Sequence, residues 1–144
     1  MKIVSSEWKA VREIATLAKE CGELSAEHRE LSEYYAKCSR AIQISIILLS
    51  GTGTLVNGLP LVGDITKQVV SSCCSAVTGV LSSMYVLLGL SKKSIKHDDV
   101  ATGFKSLEKS LRLELLKPHH QQSDPLELIE FCETTKEKLL KGVK

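Results

Sequence analysis

The chain has 144 residues, of which 43% are hydrophobic and 25% charged, and its net charge is +2. Bases and acids balance at seven each over residues 1–40 and at eleven against nine over residues 92–144, so no basic stripe marks a nucleic-acid partner. Five cysteines, an odd number with two of them adjacent, do not make a disulfide framework.

Residues 1–40 are charged throughout and lack the apolar core of a secretory signal. Val4, Trp8, Val11, Ala15 and Ala18 recur at the spacing of a helical stripe, with Lys9, Glu13, Lys19 and Glu20 around it. Gly22 predicts a break or kink, after which Leu24, His28, Leu31, Tyr35 and Cys38 carry the stripe on with no loop signal. This part is expected to be N-terminal cytoplasmic amphipathic helix that leads directly into the next segment.

From Ala41 to Ser91 the only charges in 51 residues are Asp64 and Lys67. They divide the run into two uncharged stretches of 23 and 24 residues, each long enough to cross about 30 Å of hydrocarbon at about 1.5 Å per residue. The segment 41–91 therefore reads as a transmembrane helical hairpin. Gln43, Asn57 and Pro60 also suit a buried hairpin in a soluble bundle, but the heavily charged flanks would then have to cover two uncharged helices on all sides. The first span is expected to be helical from about Tyr34 to Leu55, followed by an irregular or re-entrant turn at Asn57-Gly58-Leu59-Pro60. Alternatively, it breaks near Gly51 and leaves Thr52, Thr54 and Asn57 against water.

The second span, Val69 to Leu90, carries small residues at Ser71, Ser75, Gly79 and Ser83. That spacing makes one strip along which helix backbones can approach closely in lipid, with hydroxyls available for hydrogen bonds. Its partner is either the first span, through Ala41, Ser45 and Ser50, or another subunit, in which case the strip with Ser72 and Ser82 suits a water-lining face. Lys37 and Arg40 precede the first span and Lys92, Lys93 and Lys96 follow the second. The positive-inside rule thus puts both termini in the cytoplasm, with these basic residues at the lipid headgroups. Tyr34, Tyr35 and Tyr85 fall near interface depth, where a ring can keep its hydroxyl wet, although ordinary packing accounts for them equally well.

Residues 92–144 form the C-terminal cytoplasmic helices. Val100, Phe104, Leu107, Leu111 and Leu115 mark one helical face, and the second span is expected to run into this helix as a continuous rod. Pro118 ends it, and residues 119–123 make a polar loop. Asp124-Pro125-Leu126-Glu127 then supplies an N-cap, a first-turn proline and an acid at the third position. A last helix is expected from Pro125 to Leu140, with Leu126, Ile129, Cys132 and Leu139 docking on the other stripes.

Residues that could carry chemistry do not assemble into a motif. His119-His120 lack ligands at metal-site spacing. Gly51-Thr52-Gly53 has neither the Lys-Ser/Thr nor the preceding strand of a phosphate loop. Cys73-Cys74 read as small apolar fillers of the span. No enzyme, cofactor or metal is expected.

The cytoplasmic helix entering the first span through Tyr34-Tyr35-Ala36-Lys37-Cys38-Ser39-Arg40-Ala41-Ile42, the tight hairpin, and the helix after the membrane with Phe104, Leu107, Leu111 and Leu115 together resemble the SLATT family over about residues 25–117. These are two-transmembrane domains known as predicted effectors of prokaryotic conflict systems and from fungal and viral proteins. The resemblance implies membrane insertion and a pore assembled from several hairpins, with no catalytic residues to carry over. The Gly and Pro near the end of the first span depart from a clean pore-lining helix. The same physics suits a structural anchor, such as a virion protein that tethers an internal membrane to capsid proteins, or an adaptor that only oligomerises. The expected partners are the lipid bilayer, further copies of the chain, and neighbouring membrane or capsid proteins.

Overall fold

The computed structural model describes residues 3–60, 63–117 and 123–142, with side-chain surroundings from Lys9 onward. The architecture is an all-α helical bundle: α1 Ile3–Gly58, α2 Asp64–Leu88, α3 Leu90–Leu116 and α4 Pro125–Lys141, with no strand among the described residues. Two compact units result, one formed by Met1–Ser32 with Ile95–Lys144 and the other by Glu33–Ser94.

The first unit has the more conventional core. Ile14, Ala18 and Cys21 of α1 meet Val100, Phe104, Leu107 and Leu111 of α3 and Cys132 of α4, and Phe104 is wholly enclosed. The α3 stripe is the one expected from the sequence. On α1 the buried line is Ile14–Ala18–Cys21, while Ala15 is exposed, because the larger Ile14 takes the core and turns its neighbour outward. The line continues in polar residues. Ser25, His28 and Ser32 are buried, and Ser25 donates to the Ala101 carbonyl at 2.9 Å. Burial pushes both the Cys21 and Cys132 thiols up, which keeps them protonated and unreactive.

Gly22 does not break α1, which runs through it. A β-carbon at this position would stand 3.2 Å from the Glu108 carboxyl, so the glycine makes room for an α3 side chain. Gly89 does the opposite of what the sequence suggested. Its φ of 55° ends α2 in the left-handed region, so the second span and α3 are two helices rather than one rod.

Asp124 caps α4 as expected, its Oδ1 accepting the Leu126 N–H at 3.0 Å, with Pro125 in the first turn. Ile129, Cys132 and Leu139 pack on the core with Leu128, whereas Leu126 is 77% exposed and does not dock. Where α4 closes on α3, a β-carbon at Gly103 would lie 2.6 Å from Leu139 Cδ2, so this approach needs a glycine or a displaced leucine. Lys136 reaches the Glu20 carboxylate at 3.0 Å. At the start of the connection Glu114 pairs with Lys117 and accepts the Ser123 N–H at 2.7 Å. Pro118, His119 and His120 lie outside the described residues.

Truncating Phe104 to Ala removes the centre of this unit and is expected to cost about 3–5 kcal/mol, read as a lowered midpoint of the helical circular-dichroism melt. Leu126→Ser, which alters an exposed side chain, is expected to leave the midpoint within about 0.5 kcal/mol. The Lys117 ammonium and then the Ser123 amide hold the Glu114 carboxyl at about 2, below its ordinary 4.5. Because the folded value is the depressed one, this contribution to stability is present above pH 4.5 and is lost as the pH falls toward 2. Glu114→Gln is expected to flatten that part of the acid limb in melts recorded between pH 5 and 2.

Candidate functional site

The second unit is an antiparallel pair formed by α1 from Glu33 onward and α2. On α1 the residues withdrawn from the surface include Tyr35, Ser39, Ile42, Ile46, Leu49, Gly53 and Val56, and on α2 Lys67, Ser71, Cys74, Thr78, Leu81 and Tyr85. Both series step by four and three, the repeat of knobs-into-holes packing between helices crossing at a shallow angle. At Gly53 a β-carbon would meet Cys74 Cβ at 3.5 Å, ordinary van der Waals contact.

Polar groups fasten the seam at both ends. Gln43 donates its Nε2 hydrogen to the Tyr85 hydroxyl at 2.8 Å, and Ser39 donates to the same oxygen at 3.4 Å. Near the turn Asn57 donates to Ser71 Oγ at 3.3 Å. Midway between, the Thr78 hydroxyl is buried without a hydrogen-bond partner among the described residues. The Lys93 ammonium lies 6.0 Å from the centre of the Tyr35 ring, within reach of a cation–π attraction.

The strip identified in the sequence divides. Ser71 turns toward α1, while Ser75, Gly79 and Ser83 are exposed and nothing lies within 4 Å of a β-carbon built at Gly79. Ala41, Ser45 and Ser50 are exposed as well, so the intramolecular alternative, a seam between them and the strip, is not the one formed. The seam actually formed was missed because it mixes Cys, Thr, Leu and Tyr, whereas the all-small strip is the more regular pattern to the eye. Cys73 is exposed and Cys74 half-buried, and neither is paired.

α1 remains helical through Gly51 and Gly53 to Gly58, so it does not break midway. Thr52 and Thr54 donate to the Leu48 and Ser50 carbonyls at 2.8 and 3.0 Å, and Ser45 and Ser83 likewise bond to Ala41 and Gly79 at 2.9 Å. These outward hydroxyls are thus satisfied by their own helix. Asp64 and Lys67 lie in the first turn of α2, 4.0 Å apart, rather than in a connector.

The hairpin is apolar outward. Ile44, Ile47, Leu48 and Leu55 on α1 and Val69, Val80, Val86 and Leu87 on α2 are each more than half exposed. Two helices are long and apolar enough to cross a membrane, and only 6% of the most apolar stretch of each is buried. Lys37, Arg40, Lys92, Lys93 and Lys96 are all exposed. Among the described residues no cluster of three or more His, Cys, Asp or Glu side chains could hold a metal ion. No family model, curated protein or solved structure matches the chain.

One pairing in the first unit escaped the sequence reading. His28, placed only as a member of a stripe, has its Nδ1 2.8 Å from Nδ1 of His97, to which no role was given. The legible signal was that both fall on the inward positions of their helices, His28 four before Ser32 and His97 seven before Phe104.

Replacing Tyr85 with Phe removes the acceptor shared by Gln43 and Ser39. The expected loss is about 0.5–1.7 kcal/mol, measured as easier unfolding of the hairpin in a denaturing-detergent titration.

Proposed function

We propose that this chain is a non-enzymatic integral membrane protein that works by helix association. Its α1–α2 hairpin crosses the bilayer twice, and copies assemble through the outward strip Ser75, Gly79 and Ser83, in the manner implied by the SLATT resemblance. The supporting observation is that the uncharged surfaces of both helices point away from each other. Ile47, Leu48, Val86 and Leu87 are each more than half exposed among the described residues, and apolar surface of this extent calls for lipid or protein cover.

The dimensions agree with a span. Ala41–Gly58 is 18 helical residues, or about 27 Å, and Gln68–Leu88 is 21, or about 31 Å, against about 30 Å of hydrocarbon. The exposed basic residues Lys37 and Arg40 before the first crossing and Lys92, Lys93 and Lys96 after the second favour both termini on the cytoplasmic side. At Gly79 the absence of a side chain lets a neighbouring helix come close, and close packing rather than apolar drive is what joins helices in lipid.

The test is reconstitution into nanodiscs and dye-loaded liposomes. The wild type is expected to form a discrete oligomer, and Gly79→Leu to dissociate it while remaining membrane-bound and helical. Leakage of dye by the oligomer assigns a pore, and intact liposomes assign an anchor built by the same association. A protein that is monodisperse and folded in detergent-free buffer would refute the membrane reading altogether.

A further inference from the structure

The positive charge of this chain is gathered at one end of the hairpin. Of its 19 basic and 17 acidic residues, five and two lie in the unit Glu33–Ser94, which leaves 14 against 15 in the rest of the chain. Within that unit Lys37, Arg40, Lys92 and Lys93 share the end where the chain enters and leaves, with Glu33 as the one acid beside them. The far end holds Asp64 and Lys67, 4.0 Å apart and mutually neutral. No ion pair among the described residues involves any of the four cations.

Packing fixes their depth. The Tyr85 hydroxyl meets Ser39 and Gln43, and Lys93 stands over the Tyr35 ring at 6.0 Å. Residues 85–93 therefore run beside residues 35–43, and the four cations occupy a band about 8 Å deep at about 1.5 Å per residue. Their directions differ. Lys37 stands two residues from both Tyr35 and Ser39, which are inward positions of α1, so it projects from the opposite side of the helix, and Arg40 follows on that outer side. Lys92 is likewise two residues from the buried Leu90 and the half-buried Ser94, and it projects from the outer side of α3. Lys93 lies between these faces, and all four residues are exposed.

Cations aimed to opposite sides of a helix pair cannot converge on one phosphate or one acidic peptide. They can all reach a single surface if that surface surrounds the pair, which is the geometry of a lipid leaflet. We propose that Lys37, Arg40, Lys92 and Lys93 form a basic collar that selects acidic phospholipids around this end of the hairpin, each cation engaging its own headgroup. The inference rests on the membrane reading of the hairpin and adds the chemical class of lipid that it recruits. The long stems of Lys and Arg lie along apolar surface and carry the charge out to headgroup depth. Phosphatidylcholine cancels its phosphate with its own choline, whereas phosphatidylserine keeps a net negative charge. Discrimination between them is therefore electrostatic, at about fivefold for each cation near the surface.

The test is electron paramagnetic resonance on the full chain reconstituted in phosphatidylcholine vesicles, with spin-labelled phosphatidylserine or phosphatidylcholine as the probe, read as the fraction of label immobilised by the protein. Phosphatidylserine is expected to be held about two- to fivefold more strongly, a preference that falls toward one at about 1 M salt, where the Debye length is about 3 Å. Because the cations act separately, Lys37→Gln with Arg40→Gln, and Lys92→Gln with Lys93→Gln, are each expected to remove part of the preference, and all four substitutions together to abolish it. Lys67→Gln, at the other end of the hairpin, is expected to leave it unchanged. Loss of the whole preference with either pair alone marks one converging pocket and overturns the collar, as does an equal loss with Lys67→Gln. Equal immobilisation of the two lipids by the wild type overturns this inference alone, whereas immobilisation of neither overturns the membrane reading and this inference with it.

Discussion

In each unit the packing of α1 follows one inward edge of the helix. Its withdrawn positions step by four and three residues from Ile14 to Val56, through Ala18, Cys21, Ser25, His28, Ser32, Tyr35, Ser39, Ile42, Ile46, Leu49 and Gly53. A repeat averaging 3.5 residues keeps one edge of a helix facing its partner. What changes along the edge is its chemistry. It begins aliphatic, becomes a run of hydroxyls and imidazole, and turns aliphatic again where the flanking charges cease.

This change of chemistry divides the work of stabilisation. In the first unit the enclosed Phe104 and the leucines of α3 supply apolar burial of the kind that drives folding in water. In the second unit large aliphatic side chains also lie on the outside, while Ile42, Ile46, Leu49 and Leu81 share the seam with Gly53, small residues and a few hydrogen bonds. Such outward apolar surface fits the bilayer proposed above, in which contact shape and satisfied polar groups count for more than the removal of hydrocarbon from water.

The fold class, the limits of the uncharged region and the cap of α4 were legible because each rests on residues whose local behaviour leaves little choice: absent charges, an Asp-Pro pair, and leucines at helical intervals. The α3 stripe was readable because Val100, Phe104, Leu107 and Leu111 are large. On α1 Ala18, His28 and Tyr35 lie inward as read, but Ala15 is exposed and Ile14 takes its place, because alanines are as common outside as in and only the larger Ile14 fixes the phase there. Gly22 and Gly89 look alike in sequence and behave oppositely. One admits the Glu108 side chain into a continuous helix, while the other takes a positive φ, a distinction made by tertiary neighbours in the first case and by backbone handedness in the second. The histidine pair joins residues 69 positions apart, and local periodicity contains no term for that.

The left-handed turn at Gly89 has a mechanical meaning. Its carbonyl accepts the Lys93 N–H at 3.0 Å, so the residue that finishes α2 also starts α3, leaving no slack between them. It shifts the phase of the contact edge, which passes from Tyr85 to Leu90 instead of to position 88 or 89. Apart from its chain neighbours, no atom lies within 4 Å of where a β-carbon would stand. The change of direction there is carried by a left-handed torsion that a residue without a β-carbon takes on without strain, between two helix ends that share its carbonyl.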